Sequence, residues 1–399
     1  MAGLPVAFLI GCGEEPPMSL YDPEAASGAQ PVITTVTPPA PGLAGVTEIT
    51  ITGQNFSAVK TQNTVYFGAQ NTVGTVLDAT TTQLRVLPPP VIGDTVTIRI
   101  AVTGAQLFSN TVNYAFVAAS SEFGSLESFE EPWAVATDAA GNVYLSMISS
   151  GVGVGIKKFT PAGVRSDFAP AGGVTKYSGL RVGPGGDLFG VRSARAIYRI
   201  PAAGGSPAVW AQISGSTLYD LEFDDAGNIW TAGSVTNQIY RMKVSDKSTK
   251  SFAHNGDVRS MRYFGGYLYV GGKTYPDSLE RVMRYQVVSA DSLGPATEYF
   301  NLSSSAYAGK FLYSINFATD GSLFIGTDAT TPILLVNPDK TAKPYYPGLF
   351  GPTMHQLVWG AGTTWYAVKG TGSGGSVAAS QKLYTINMQK TGAPYYGRP

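Results

Sequence analysis

The chain has 399 residues, a formal net charge of +0 and only 14% charged residues. A protein that grips nucleic acid irrespective of sequence needs a basic surface, so that class is excluded, and the length points to two domains rather than one. Hydrophobic residues at 44%, 48 glycines and 22 tyrosines, with few helix-type runs of Ala, Leu, Glu and Lys, point to an all-β chain rich in turns, and a single cysteine forbids both an intrachain disulfide and a zinc site built from this chain's cysteines.

The chain opens with a short apolar run that ends at Gly11-Cys12. It reads as the tail of a secretory signal and is too short for a membrane helix, which needs about 20 apolar residues. Leu9-Ile10-Gly11-Cys12 resembles the lipobox of bacterial lipoproteins. The resemblance implies a signal over residues 1–12, lipidation at Cys12 and a membrane partner through that anchor. No Lys or Arg precedes the run, which departs from the family's pattern. Residues 13–30 are acidic and rich in Pro, Ser, Ala and Gly, the composition of a flexible tether. Within it, Glu14 and Glu15 resemble the acidic export signal of surface lipoproteins in the Bacteroidetes group. Together these imply a cell-envelope, outer-membrane location with the folded part exposed at the surface.

Short alternating strands follow over residues 31–117: Pro31–Pro38, Thr47–Gly53, Thr64–Phe67, Gln83–Leu87, Thr95–Val102 and Asn110–Val117. Period two without a helical period predicts a two-sheet sandwich. The Ile33–Pro38 stretch, Ile51-Thr52-Gly53-Gln54-Asn55-Phe56, Val65-Tyr66-Phe67-Gly68 and Leu87-Pro88-Pro89-Pro90 resemble an IPT/TIG domain, an immunoglobulin-like module. In that element Gly53 and Asn55 suit a tight turn and Phe56 is placed to plug the sandwich end. The resemblance implies a spacer or binding module.

After a joint at Ala118–Ser121, a glycine followed three places on by an aromatic recurs to the C-terminus. The pairs are Gly141/Tyr144, Gly186/Phe189, Gly227/Trp230, Gly266/Tyr269, Gly321/Phe324 and Gly362/Trp365, and by subtraction the glycines lie 45, 41, 39, 55 and 41 positions apart. That period, with four strand-like pieces per unit, predicts the blades of a six-bladed propeller over residues 122–399. One bulky ring per blade is expected to wedge against the next sheet. The pattern resembles NHL-type and related six-bladed propellers. The wide spacing before Gly321 implies an insertion near Ser289–Leu302. Either Glu122–Leu126 or Ala393–Tyr396 could supply the strand that closes the ring.

Propeller ligands sit at a mouth of the central channel. Aligning the innermost strands on Val135, Leu180, Leu221, Met261, Ile315 and Leu357 makes three neighbouring positions comparable. The following one brings Arg181, Glu222, Arg262 and Asn316 toward the axis, and the preceding one adds Asp220. Such a set is either a polar ligand pocket or a structural salt-bridge ring, since buried charges must be paired. One position earlier lie Trp133, Tyr219, Arg259, Tyr313 and His355, a rim suited to sugar rings or peptide side chains, or else caps on the core.

Two enzyme families are weighed on the same residues. Lactonases of the gluconolactonase type hold a divalent metal at this mouth; Glu131, Asp220 and Asn316 are the nearest candidates and do not reproduce that family's motifs. Gly227–Trp230 resembles a run in streptogramin-lyase propellers, which use a histidine base, and this chain has only His254 and His355. The chain carries no G-x-S-x-G, P-loop or H-E-x-x-H motif. The expectation is therefore a non-catalytic surface binding module for a glycan, peptide or protein, with no cofactor, Ca2+ being the one ion considered. A metal-dependent lactonase or lyase, and a structural component of the envelope, are the alternatives.

Overall fold

The computed structural model describes residues 27–370 and 381–397. Cys12, Glu14 and Glu15 therefore lie outside the described residues. The chain divides into two compact units, Met1–Val117 and Ala118–Pro399, and among the described residues every regular element is a strand or a single 3-10 turn.

The first unit is a sandwich. One sheet orders Val32–Thr37, Ile49–Gln54, Gln83–Leu87 and Thr75–Ala79; the other orders Gly42–Leu43, Val112–Val117, Gly93–Val102, Asn63–Phe67 and Thr72–Val73. Alternation drives the packing. Ile49 and Ile51 from one sheet meet Ile98 and Ile100 from the other in a single core, while the residues between them face outward. A Cβ at Gly53 would lie 1.9 Å from the Val32 carbonyl oxygen, so only glycine fits that close approach. Asn55 adopts φ 61°, and Phe56 turns into the core. The strands not anticipated, Gly42–Leu43, Thr72–Val73 and Thr75–Ala79, are short or carry little apolar alternation.

The second unit comprises six four-stranded blades, the fourth extended by a small hairpin. Their innermost strands are Glu130–Thr137, Gly179–Val182, Thr217–Phe223, Gly256–Phe264, Leu312–Phe317 and Met354–Trp359. These lie side by side in chain order, and the first also packs beside the sixth, so the ring is closed. The spacing before Gly321 is taken up partly by strand: Glu280–Ser289 is long and turns back through Ser292–Leu293.

The repeated aromatics are buried between sheets. Phe189 meets Phe223 of the next blade, Tyr269 meets Phe317, and Phe324 meets Trp359. Burying such a ring stabilises by roughly 1.5–3 kcal/mol. Asp138 and Asp224 complete their hairpin turns by accepting from the backbone N–H of Asn142 and Asn228, and also from Tyr144 Oη and Trp230 Nε1 of the ring that follows. The sixth repeat departs from expectation. Tyr144 stands opposite Ala136 and Phe324 opposite Asn316; the residue in that register in blade six is Tyr366, opposite Val358, not Trp365. Its hairpin holds one residue more after the glycine. Tyr366 packs with Val135 and Val143 of blade one, while Trp365 stacks on Trp359 and faces back to Phe324.

The ring is closed by the first strand of the second unit. Ser120–Glu122 pairs with Lys382–Asn387 as the outermost strand of blade six, so two residues assigned to the joint belong to a blade. Ala393–Tyr396 does not form a fourth strand. It runs across the ends of the innermost strands: Ala393 N–H donates to Phe317 O, Tyr395 Oη to Trp359 O, and Tyr396 lies against Phe223. Tyr345 and Tyr346 likewise fall just after the strand Ala342–Pro344.

Candidate functional site

The innermost strands carry two sets of side chains at two depths. Both descend from the aligned positions, yet the structure treats them differently.

The deeper set fills the channel. Arg181, Asp220, Glu222, Arg262 and Asn316 are 1% to 7% exposed. Asp220 accepts from Arg181 Nη2 at 3.3 Å, Arg262 Nη1 at 3.2 Å, Ser260 Oγ at 3.3 Å and the Met261 N–H at 2.9 Å. Glu222 accepts from Arg181 Nε at 3.2 Å and the Phe223 N–H at 3.0 Å. Arg262 Nη2 and Asn316 Nδ2 both donate to Leu357 O of blade six. Two cations and two anions balance, and blades two to six are tied together. Burial pushes the Glu222 carboxyl up to about 7, with Arg181 opposing it. The channel residues are thus joined to one another and do not line the open cavity. Asp220 and Asn316, two of the three candidate metal ligands, are engaged in this network. Among the described residues no group of three or more His, Cys, Asp or Glu is placed to hold a metal ion.

The upper set is organised by bulges. The strand ladder slips between Leu218 and Asp220, Val258 and Ser260, Leu312 and Ser314, and Met354 and Gln356, and between Pro132 and Val135 in blade one. The residues left out of the pairing are Tyr219, Arg259, Tyr313 and His355, and Trp133 with Ala134. A bulge re-aims its extra residue. Here Tyr219, Arg259, Tyr313, His355 and Trp133 all line one cavity of about 960 Å³ at the start of the innermost strands. Trp133 meets the His355 ring edge-on at 5.5 Å, and Tyr313 lies 5.7 Å from it on the other side. Arg259 donates to Glu280 Oε2 at 2.5 Å and to Leu312 O at 3.1 Å. Burial raises the Tyr313 hydroxyl's pKa above its ordinary value. The other histidine, His254, is buried outside this cavity, its Nδ1 2.8 Å from Tyr285 Oη.

The opposite mouth is covered. Thr391–Gly397 passes over the ends of the same strands, with Tyr395 Oη hydrogen bonded to Thr137 and Trp359 O, and Gly397 against Val182.

Sequence reasoning missed several cavity residues: Lys176, Arg192, Ser193, Asp257, Phe311, Asp328 and Thr353. Asp257, Phe311 and Thr353 each stand two places before a rim residue, Arg259, Tyr313 or His355. Extending the strand period of two by one step would have found them. Arg192 and Asp328 follow the second strands, and no alignment of innermost strands reaches them.

No curated protein matches the chain. Among solved structures, a Bacteroides thetaiotaomicron VPI-5482 protein of unknown function is similar over 92% of this chain and 99% of its own, at 12% identity and a TM-score of 0.52. A luciferin-regenerating enzyme is similar over 69% of this chain and 97% of its own, at 14% identity and a TM-score of 0.53. A gluconolactonase from Xanthomonas campestris covers 64% and 86% at 14% identity and a TM-score of 0.50. Likeness at such identity is one of fold, and this fold hosts both enzymes and other proteins. Residues 31–116 match the family model of the IPT/TIG domain, and that segment of the chain is such a domain.

Proposed function

We propose that this protein is a non-catalytic binding protein that takes its ligand into the open mouth of the propeller. The observation that carries the reading is the split between the two layers. Half-buried Tyr219, Tyr313, Arg259 and His355 are turned into a wide cavity by bulges, above a channel whose charges are already satisfied. Amphipathic rings with fixed polar neighbours are what a recognition site uses. A general base needs an oriented partner beside the reacting atom. The channel carboxylates have their lone pairs occupied by guanidinium and backbone N–H groups, and His254 is buried away from the cavity.

The test is a glycan and peptide array probed with the protein and with Tyr219→Ala and Tyr313→Ala. The reading expects a ligand whose binding both substitutions weaken. A ligand that binds both variants as tightly as the parent, or one that is turned over, would defeat it. We further propose that Cys12 anchors the protein in the outer membrane with its folded part at the cell surface. This rests on the lipobox-like residues alone. Radiolabelled palmitate should enter the protein in cells and fail to enter Cys12→Ala.

A further inference from the structure

The cavity wall is electrostatically lopsided. On the side of Arg259, each charge has its partner: Arg259 on Glu280, Asp257 accepting from Tyr275 Oη at 2.8 Å, Asp328 accepting from the Phe311 N–H at 3.0 Å. On the side of blades one and two stand two cations, Lys176 and Arg192, and three buried donor atoms without an acceptor. Lys176 Nζ sits 3.1 Å from the centroid of the Trp133 ring; burial lowers its pKa, and the charge of Glu131 opposes that shift. Arg192 donates through Nη1 to Gly173 O at 3.3 Å and lies over the Tyr198 ring. Its Nε has no acceptor, nor do Tyr177 Oη and Trp133 Nε1. Tyr177 and Trp133 are 1% and 6% exposed, so these groups are shielded from bulk water. Leaving a buried donor unmatched is costly, and two cations beside three unmatched donor atoms define a place for an anionic acceptor.

Resting on the reading of the mouth as a binding site, we infer that its ligand is an acidic saccharide. Its carboxylate faces Lys176 and Arg192, and its sugar ring lies against Tyr219, Tyr313 and the half-exposed Phe311. Guanidinium and ammonium groups held over aromatic faces are pre-placed for a carboxylate. The far wall decides between a sugar and an acidic peptide. Asp257 and Asp328 accept hydroxyl hydrogens, but repel a second carboxylate. One acid group among many hydroxyls satisfies both walls; a run of acidic side chains does not.

The test is calorimetric titration of the full chain with cellobiouronic acid, with its neutral counterpart cellobiose, and with a triglutamate peptide. The acid should bind about tenfold or more tightly than cellobiose, and the gap should shrink as salt is raised. Lys176→Met with Arg192→Met, checked by circular dichroism for a folded chain, should abolish the preference. Equal binding of the two sugars, or a preference that survives the double substitution, overturns the inference and leaves the mouth a binding site. Tighter binding of triglutamate than of cellobiouronic acid replaces the saccharide by a peptide and overturns it too. A mouth that takes none of the three, while Tyr219→Ala and Tyr313→Ala leave array binding intact, removes the binding reading itself.

Discussion

The channel and the mouth of the propeller are built from the same strands, one to three residues apart, and from the same kinds of side chain. Arg262 and Arg259 differ by three positions. The first is buried on Asp220 and reaches Leu357 O of blade six; the second stands half-buried on the cavity wall. What separates them is the bulge between Val258 and Ser260. Below it, side chains in ladder register converge on the axis, where the neighbouring blades exclude water and every charge must find a partner. At it, the ladder gives way and the side chain is aimed outward. Chemistry alone therefore does not tell a structural arginine from a recognition arginine; position relative to the bulge does.

The contrast breaks first at Asp220. Asp220→Ala leaves Arg181 and Arg262 without their shared acceptor, and unfolding by urea should show a loss of about 3–5 kcal/mol. A loss below about 1 kcal/mol would mean that water reaches the channel. The histidines test the same division through pH. Burial holds His254 down to about 4, against 6.5 for a free imidazole. The folded state thus resists protonation that the unfolded chain accepts. Stability present above pH 6.5 should fall as pH drops toward 4, by on the order of 3 kcal/mol, and His254→Gln should flatten that slope. A smaller effect belongs to the covered mouth. Tyr395→Phe removes the hydroxyl that binds Thr137 and Trp359 O, at about 0.5–1.5 kcal/mol by denaturant titration. The smallest change in stability is expected at the open mouth: Tyr313→Ala should cost less than about 1 kcal/mol while weakening ligand binding the most. Were Tyr313→Ala to destabilise as much as Asp220→Ala, the mouth would be core and not a site.

Much of the architecture is legible in local pattern. Period two in Ile49–Ile51 and Thr95–Ile100 marks sandwich strands, and the glycine–aromatic period marks blades, because each is set by residues close in sequence. The exceptions have physical causes. Trp365 matches the repeat by spacing, but the extra hairpin residue shifts the ladder, and Tyr366 takes the wedge position. The closing strand Ser120–Glu122 is too short and polar to stand out from a joint, and acquires its role only by pairing with residues at the other end of the chain. In the site, the aligned rim residues were visible as a column, whereas Lys176 and Arg192 were not, since loops between strands keep no register with the repeat.

The amino-acid order alone determined the all-β composition, the sandwich and the repeated blade, and which residues point toward the hub, because strand periodicity and turn residues act over a few positions. The tertiary structure decided which of those residues are locked and which are presented. That choice depends on bulges, on ring closure and on the tail across the far mouth, each of which brings together residues remote in sequence whose burial no local pattern specifies.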